Sequence, residues 1–438
     1  MYSAPHTKDE NGHRFKNHHP ALAMTLSILF AGLGQLYNRR WMKGLLFILL
    51  EVSFIYEFGY DIQLGFWGIA TLGEIPGLDD SIQLLVFGIF MIILLVFAIG
   101  LYIFNIVDAR KQAILLKENG KLPGLKEALR AFYDKGFPYF ITLPGLILLI
   151  FVVVFPLIFS LTLAFTNYNL YHSPPRHLVD WVGFSNFKQL FSEDVWSNSF
   201  FDVLSWTIVW TIVATTMQIV LGLFLAVIVN DKRIKLKKTI RTILILPWAV
   251  PAFVSILIFK AMFNDGFGAI NNDIIIPLFG GKGLPWLLDP FYTKLALIMI
   301  QTWLGFPFLF ALFSGVLQSA SQEWYEAADV DGGSKWQKFR YITLPHVLYA
   351  TAPLLITQYA GNFNNFNIIY LFNNGKPAVE GQYAGGTDIL ISWVYKLTFD
   401  NNQYGMAATV TIIMGLFISI IAFFQFRHTR AFKEEGQI

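Results

Sequence analysis

The sequence predicts an all-α fold, a polytopic membrane helix bundle. Three observations carry that prediction. The 438 residues are 55% hydrophobic and only 14% charged, and the mean hydropathy is +0.53. An ordinary soluble domain carries about 25% charged residues, so this chain cannot cover itself with a polar surface, and lipid is the solvent that suits it. Long apolar runs recur along the chain, and Lys and Arg gather in particular segments between them. There is no cysteine, which excludes disulfides, thiolate metal sites and cysteine nucleophiles.

The first residues are polar, and the apolar stretch after them has no small-residue cleavage site, so the N-terminus is read as retained. The run 21–37 is short, contains Gly32 and Gly34, and leads straight into Arg39, Arg40 and Lys43. Apolar runs near 44–60, 82–104, 138–165, 200–229, 240–263, 292–317, 347–372 and 405–426 follow. They are compared with the roughly 20 residues that a helix needs to cross a bilayer. Positive charge sets the orientation. Arg110, Lys111, Lys117, Lys121, Lys126, Arg130 and Lys135 mark 105–137 as cytoplasmic. Lys232, Arg233, Lys235, Lys237, Lys238 and Arg241 do so for 230–241, and Arg427, Arg430 and Lys433 for the tail. The segment 61–81 holds Asp61, Glu74, Asp79 and Asp80 without Lys or Arg, and belongs outside. About eight crossings with both termini in the cytoplasm satisfy these assignments. The run 21–37 then has to be an interfacial or re-entrant helix, because crossing would send Arg39, Arg40 and Lys43 outward. The chain divides into an N-terminal part over 1–137, a core over 138–430 and a short tail over 431–438.

The segment 318–346 is the most informative. Ser319 with Gln322, and Ser334 with Gln337, have capping-box spacing. Gly332 and Gly333 lie between them, where a helix end needs left-handed backbone angles. Two short helices joined by a Gly-Gly bend are expected. Trp324, Tyr325 and Ala328 share one face of the first, and Trp336, Phe339 and Ile342 one face of the second. Glu326, Ala327, Ala328, Gly332, Ile342, Leu344 and Pro345 resemble, at every spacing, the EAA signature of ABC-importer permeases. The resemblance implies that this loop docks on a separate cytoplasmic ATPase and carries its motion into the membrane.

The likeness extends over about 138–430. Leu246-Pro247 with Pro251, Trp303-Leu304-Gly305-Phe306-Pro307, Asn362-Phe363-Asn364-Asn365-Phe366, Asn374-Gly375 with Pro377, and Thr387-Asp388 look like the MalF-type permease subunits of maltose/maltodextrin ABC importers. A six-helix type I importer core is implied. So are a second, MalG-type permease subunit, a cytoplasmic ATPase dimer and an extracytoplasmic sugar-binding protein, with no cofactor. The outer segment 166–199 is short, whereas some members carry a large extracellular domain there, so contact with the binding protein through such a domain is not expected.

Sugar recognition needs aromatic faces for ring C–H surfaces and amides or hydroxyls for ring hydroxyls. Gln301, Leu304, Gly305 and Phe308 lie on one helical face by spacing, as do Gly361, Asn362 and Asn365, with Asn364 on another. Bare amides in lipid cost several kcal/mol each, so these need partners; amides that only bond adjacent helices are the alternative. The resemblance implies that the seven positions line the sugar site. Relatives often have asparagine in place of Gln301, tyrosine in place of Phe308 and phenylalanine in place of Gly361. A missing ring at 361 widens the site and suits longer maltodextrins or another oligosaccharide, such as a raffinose-type sugar.

Other signals carry less. No phosphate-binding G-x-x-x-x-G-K-[ST] loop is present, so ATP hydrolysis belongs to another subunit. His6, His13, His18 and His19 lack metal-ligand spacing, and Asp79-Asp80 and Glu193-Asp194 read as solvated outer loops. Lys260 reads as a snorkelling side chain, and the basic run 232–241 as a topology determinant with no nucleic-acid role. Glu51, inside an apolar run, has no legible role. A membrane glycosyltransferase would need an acidic cluster at a membrane face, and a secondary transporter intramembrane ionisable groups; the six core spans are nearly devoid of the latter.

Overall fold

The computed structural model describes residues 18–120, 122, 124–231 and 233–428. His6, His13, Lys121, Lys232, Arg430 and Lys433 lie outside the described residues. Among the described residues the chain is helical, with isolated bridges at Thr166–Trp181 and Ala378–Gly385 and no strand. It divides into two compact units, Met1–Val182 and Gly183–Ile438.

The first unit holds α1 (Pro20–Leu29), α2 (Leu33–Tyr37), α3 (Trp41–Thr71), α4 (Ser81–Asn119), α5 (Leu125–Leu149) and, after a π-helical turn at Ile150–Val154, α6 (Phe155–Leu163). Neither α1 nor α2, of 10 and 5 residues, approaches the roughly 20 residues of a span. They part at Gly32, whose φ of +87° suits a residue without a Cβ. The break frees two N–H groups, and buried N–H groups need acceptors. Ala31 N–H donates to Glu51 Oε2 at 2.6 Å and Gly32 N–H to Asn105 Oδ1 at 3.2 Å. That is the role of Glu51. Lys43 of α3 pairs with Asp108 at 2.7 Å, and Asn38 Nδ2, just after α2, donates to the Ala109 carbonyl at 2.7 Å, so polar groups tie both α3 and the broken segment to α4. His18 stacks on Tyr37 and bonds Asn38, a packing role. The long α4 starts at Asp80, whose carboxylate accepts from Ile82 N–H and Gln83 N–H.

The second unit holds α7 (Ser185–Ser192), α8 (Asp194–Asn230), α9 (Lys237–Ala249), α10 (Ala252–Met262), a π turn at Ile270–Ile275 leading into α11 (Ile276–Phe279), and α12 (Pro290–Ser319). Then come α13 (Gln322–Val330), α14 (Lys335–Lys338), a π turn at Phe339–Thr343, α15 (Leu344–Phe363), α16 (Phe366–Asn373), α17 (Leu390–Phe399) and α18 (Tyr404–His428). At its centre α8 packs on α12. A Cβ added at Gly222 would lie 2.9 Å from Leu309 Cβ and 3.0 Å from Phe310 N, so the small residue permits the close approach. Trp210, Trp393, Phe310, Phe313 and Phe372 are fully buried around this pair.

Among the described residues, five stretches are long and apolar enough to cross a membrane: Ser81–Glu118, Gly136–Leu163, Asp194–Asn230, Pro290–Ser319 and Tyr404–Phe423. The α9–α10 pair is a sixth if counted as one span bent by 88°, with Pro251 as the first cap of α10. The remaining two apolar runs form α3 and α15. Length and hydrophobicity alone do not single them out, because α3 carries Lys43, Glu51, Glu57 and Asp61, and α15 carries Gln358 and Asn362.

Candidate functional site

The chain breaks between α15 and α16. Asparagine is a poor helix former whose side chain competes for backbone partners, and here three of four consecutive residues, 362–365, are asparagine. Asn364 ends α15 and Asn365 precedes α16 with φ −80° and ψ 74°. Trp210 Nε1 donates to the Asn362 carbonyl at 2.9 Å and fixes the break against α8. A cavity of about 360 Å³ opens beside it, lined by Gln301, Gln358, Gly361, Asn362, Asn364, Asn365, Phe366 and Asn367.

The amides in this cavity fall into two groups. Gln301 Nε2 donates to Asn362 Oδ1, and Asn362 Nδ2 donates to Thr215 Oγ1, both at 2.8 Å. This buried chain joins α12, α15 and α8. The side chains of Asn364, Asn365 and Asn367 make no hydrogen bond among the described residues, and stand ready to donate and accept. Gly361 faces open space, with nothing within 4 Å of a Cβ placed there.

Of the seven residues expected to act together, four line this cavity: Gln301, Gly361, Asn362 and Asn365. The other three do not. Leu304 packs into the apolar cluster of Trp210 and Ile300. Phe308 belongs to the cluster of Phe310 and Phe313, its ring centroid 6.0 Å from that of Trp248. Gly305 sits under Gln218, where a Cβ would lie 2.3 Å from Oε1. Helical spacing did not anticipate Asn364, which the break turns into the cavity. Gln358 was legible as an amide one turn before Gly361 and Asn362. Gln218, fully buried on α8, gave no signal; among the described residues its Nε2 has no partner, and its Oε1 lies 3.5 Å from Gln358 Nε2.

The segment after α12 folds into α13 and α14. Ser321, and not Ser319, caps α13, accepting from Glu323 N–H; α12 continues through Ser319, whose hydroxyl bonds the Val316 carbonyl. The Ser334–Gln337 capping box is present at 2.7 and 3.2 Å. Gly332 has φ +75°, and Gly333 N–H bonds the Ala328 carbonyl at 2.8 Å, closing the bend. Tyr325 bonds Thr343 at 3.0 Å, and Trp324 meets His346 edge-on, so α13 is seated against the start of α15. Glu326, Ala327, Gly332 and Pro345 are exposed; Ala328, Ile342 and Leu344 are half-buried. Val330, Trp336 and Tyr341 are 88%, 68% and 76% exposed, so large apolar side chains stand uncovered on a largely polar knob.

Comparison with known proteins agrees with this architecture. Residues 218–434 match the family described as the binding-protein-dependent transport system inner membrane component. The chain is 53% identical to the galactooligosaccharides transport system permease protein GanP of Bacillus subtilis, over 95% of this chain and 100% of that one. It is 47% identical to the maltodextrin transport system permease protein MdxF of the same organism, over 94% and 96%. A crystal structure of a bacterial ABC transporter that imports the acidic polysaccharide alginate superimposes with a TM-score of 0.57, at 22% identity, over 69% of this chain and 98% of that one; it speaks for the fold alone. By sequence over almost its whole length, the chain belongs to the family of inner-membrane permease components of binding-protein-dependent transport systems.

Proposed function

We propose that this permease conducts a neutral oligosaccharide, a maltodextrin in the first instance, and is driven by a separate cytoplasmic ATPase dimer docked at the α13–α14 knob. A second permease subunit completes the pathway, and an extracytoplasmic binding protein delivers the sugar. The observation that carries the reading is the cavity beside the α15–α16 break. Its lining side chains are amides and one phenyl ring, with no charged group. That set suits hydroxyls and a ring C–H surface, and gives an ion no counter-charge. The exposed apolar side chains of the knob, Val330, Trp336 and Tyr341, support a protein contact there. Similarity to the galactooligosaccharide permease favours a galactooligosaccharide as the second reading.

The test is reconstitution of the complete complex in vesicles, with ATP hydrolysis and uptake measured against maltodextrins, galactooligosaccharides and raffinose. Binding-protein-dependent stimulation by one neutral series is the expected result. Stimulation by charged sugars alone, or uptake without ATP, overturns the reading. If galactooligosaccharides stimulate and maltodextrins do not, the second reading stands.

A further inference from the structure

A larger cavity of the second unit lies elsewhere, at the end of α8 and α12 remote from the α13–α14 knob. Its volume is about 620 Å³, and its walls include Asp202, Trp206, Phe291, Lys294, Gln382 and Asp388. Lys294 stands on the same face of α12 as Gln301, seven residues before it, or about 10 Å of helix rise.

Two of the wall groups are ions with unusual surroundings. The Lys294 ammonium lies 4.8 Å from the centroid of the Trp206 ring and makes no ion pair among the described residues. It stands near the N-terminal end of α12, where the helix dipole does not favour a cation. The Asp202 carboxylate is exposed and accepts from Gln382 Nε2 at 2.6 Å. The deeper carboxylate, Asp388, is already neutralised by Lys396 at 2.7 Å, so the charges of the cavity cancel. An anion would meet Asp202 and a cation would meet Lys294. A neutral polyol can use both, its hydroxyls donating to the carboxylate and accepting from the ammonium. Ions on a lipid-facing wall would be costly, which argues that the cavity holds water or a polar ligand. Phe291, 69% exposed, offers ring surface for sugar C–H groups.

The wall is also rigid. Asp388 accepts from Gly385 N–H at 2.7 Å and Ser392 Oγ at 2.8 Å, while Trp206 Nε1 donates to the Thr387 carbonyl at 3.2 Å. A wall already ordered loses little freedom when a ligand arrives.

We propose that this cavity is a second, outer sugar subsite, in which Asp202, Lys294 and Phe291 hold further rings of an oligosaccharide whose end occupies the amide cavity. It rests on the transport reading given above, and it makes selection by chain length a property of the permease.

The test uses the complete complex with its binding protein, trapped with nucleotide, and compares retained di- and hexasaccharide of the transported series. Asp202→Asn and Phe291→Ala alter exposed side chains that the fold does not need, and Lys294→Gln is the third variant. The apparent Kd of the hexasaccharide should rise about 10-fold, with the disaccharide changed less than about twofold. Equal loss for both lengths, or no loss for either, overturns the subsite. So does an unchanged sugar Kd with a higher binding-protein concentration for half-maximal ATPase stimulation, which would assign the cavity to a protein contact. Asn365→Ala run in parallel separates the two readings. If it lowers disaccharide retention while the three variants change nothing, only the outer subsite fails. If it too changes nothing, the amide-cavity reading fails with it.

Discussion

The amides beside the α15–α16 break are chemically alike, but their bonding separates them. Asn362 is 3% exposed, with both ends of its amide engaged. Asn362→Ala would leave Gln301 and Thr215 without that partner in a buried site, at about 1–3 kcal/mol. Thermal unfolding of the complex should therefore move to lower temperature along with the loss of sugar. Asn365 has a free amide, so Asn365→Ala should spare assembly and unfolding temperature. It should still lower sugar retention in the nucleotide-trapped complex by about 5- to 150-fold, the equivalent of one lost hydrogen bond of about 1–3 kcal/mol. Equal retention in wild type and Asn365→Ala would show that the sugar lies elsewhere. Gly305 poses a packing question. An alanine there meets the end of a fully buried Gln218, an overpacking that costs about 1–3 kcal/mol. Gly305→Ala should destabilise the complex, and adding Gln218→Ala should recover part of the loss by emptying the space. A double variant less stable than Gly305→Ala alone would mean that some other contact sets the requirement for glycine.

At the scale of elements, the α13–α14 knob depends on one bend. Gly332 has φ +75° with nothing within 4 Å of an added Cβ, so a side chain there meets a backbone penalty of about 1–2 kcal/mol and no clash. Gly332→Asp should leave the chain in the membrane while α13 and α14 lose their fixed angle. Co-purification of the ATPase or sugar-stimulated hydrolysis should then fall. Normal assembly and uptake would show that the bend plays no part in coupling. This element was legible because its signals are local: a capping box at Ser334 and Gln337, and glycines where a helix must stop. The end of α12 was less so. Ser319 and Ser321 are equally good caps by composition, and the choice depends on how far α12 continues. The cavity was half legible for a related reason. Helical spacing put Gln301, Leu304, Gly305 and Phe308 on one face and Gly361, Asn362 and Asn365 on another, as though both stretches were unbroken, and the family resemblance joined the two faces into one site. The break at Asn364 turned a further asparagine inward, while tertiary packing sent Leu304 and Phe308 into apolar clusters. Periodicity says which residues share a face, but not what that face meets.

For the whole molecule the argument is one of charge and continuity. Lys and Arg crowd into 105–137, 230–241 and the tail, and are absent from 61–81. Such a bias orients a membrane chain with its basic loops in the cytoplasm. The short α1 and α2 remove the obstacle to that scheme, since neither can carry Arg39, Arg40 and Lys43 across. That scheme predicts the knob over 318–346 on the cytoplasmic side, within reach of the proposed ATPase, with both termini on that side too. The chain has no cysteine, so a single introduced thiol reports its own side of the membrane. Ser334 is exposed at the bend, and Leu78, 75% exposed, lies in the acidic turn before α4. In intact cells Leu78→Cys should react with an impermeant maleimide. Ser334→Cys should stay unlabelled until the membrane is permeabilised. Labelling of Ser334→Cys from outside would invert the whole scheme, and would deny the knob any access to a cytoplasmic ATPase.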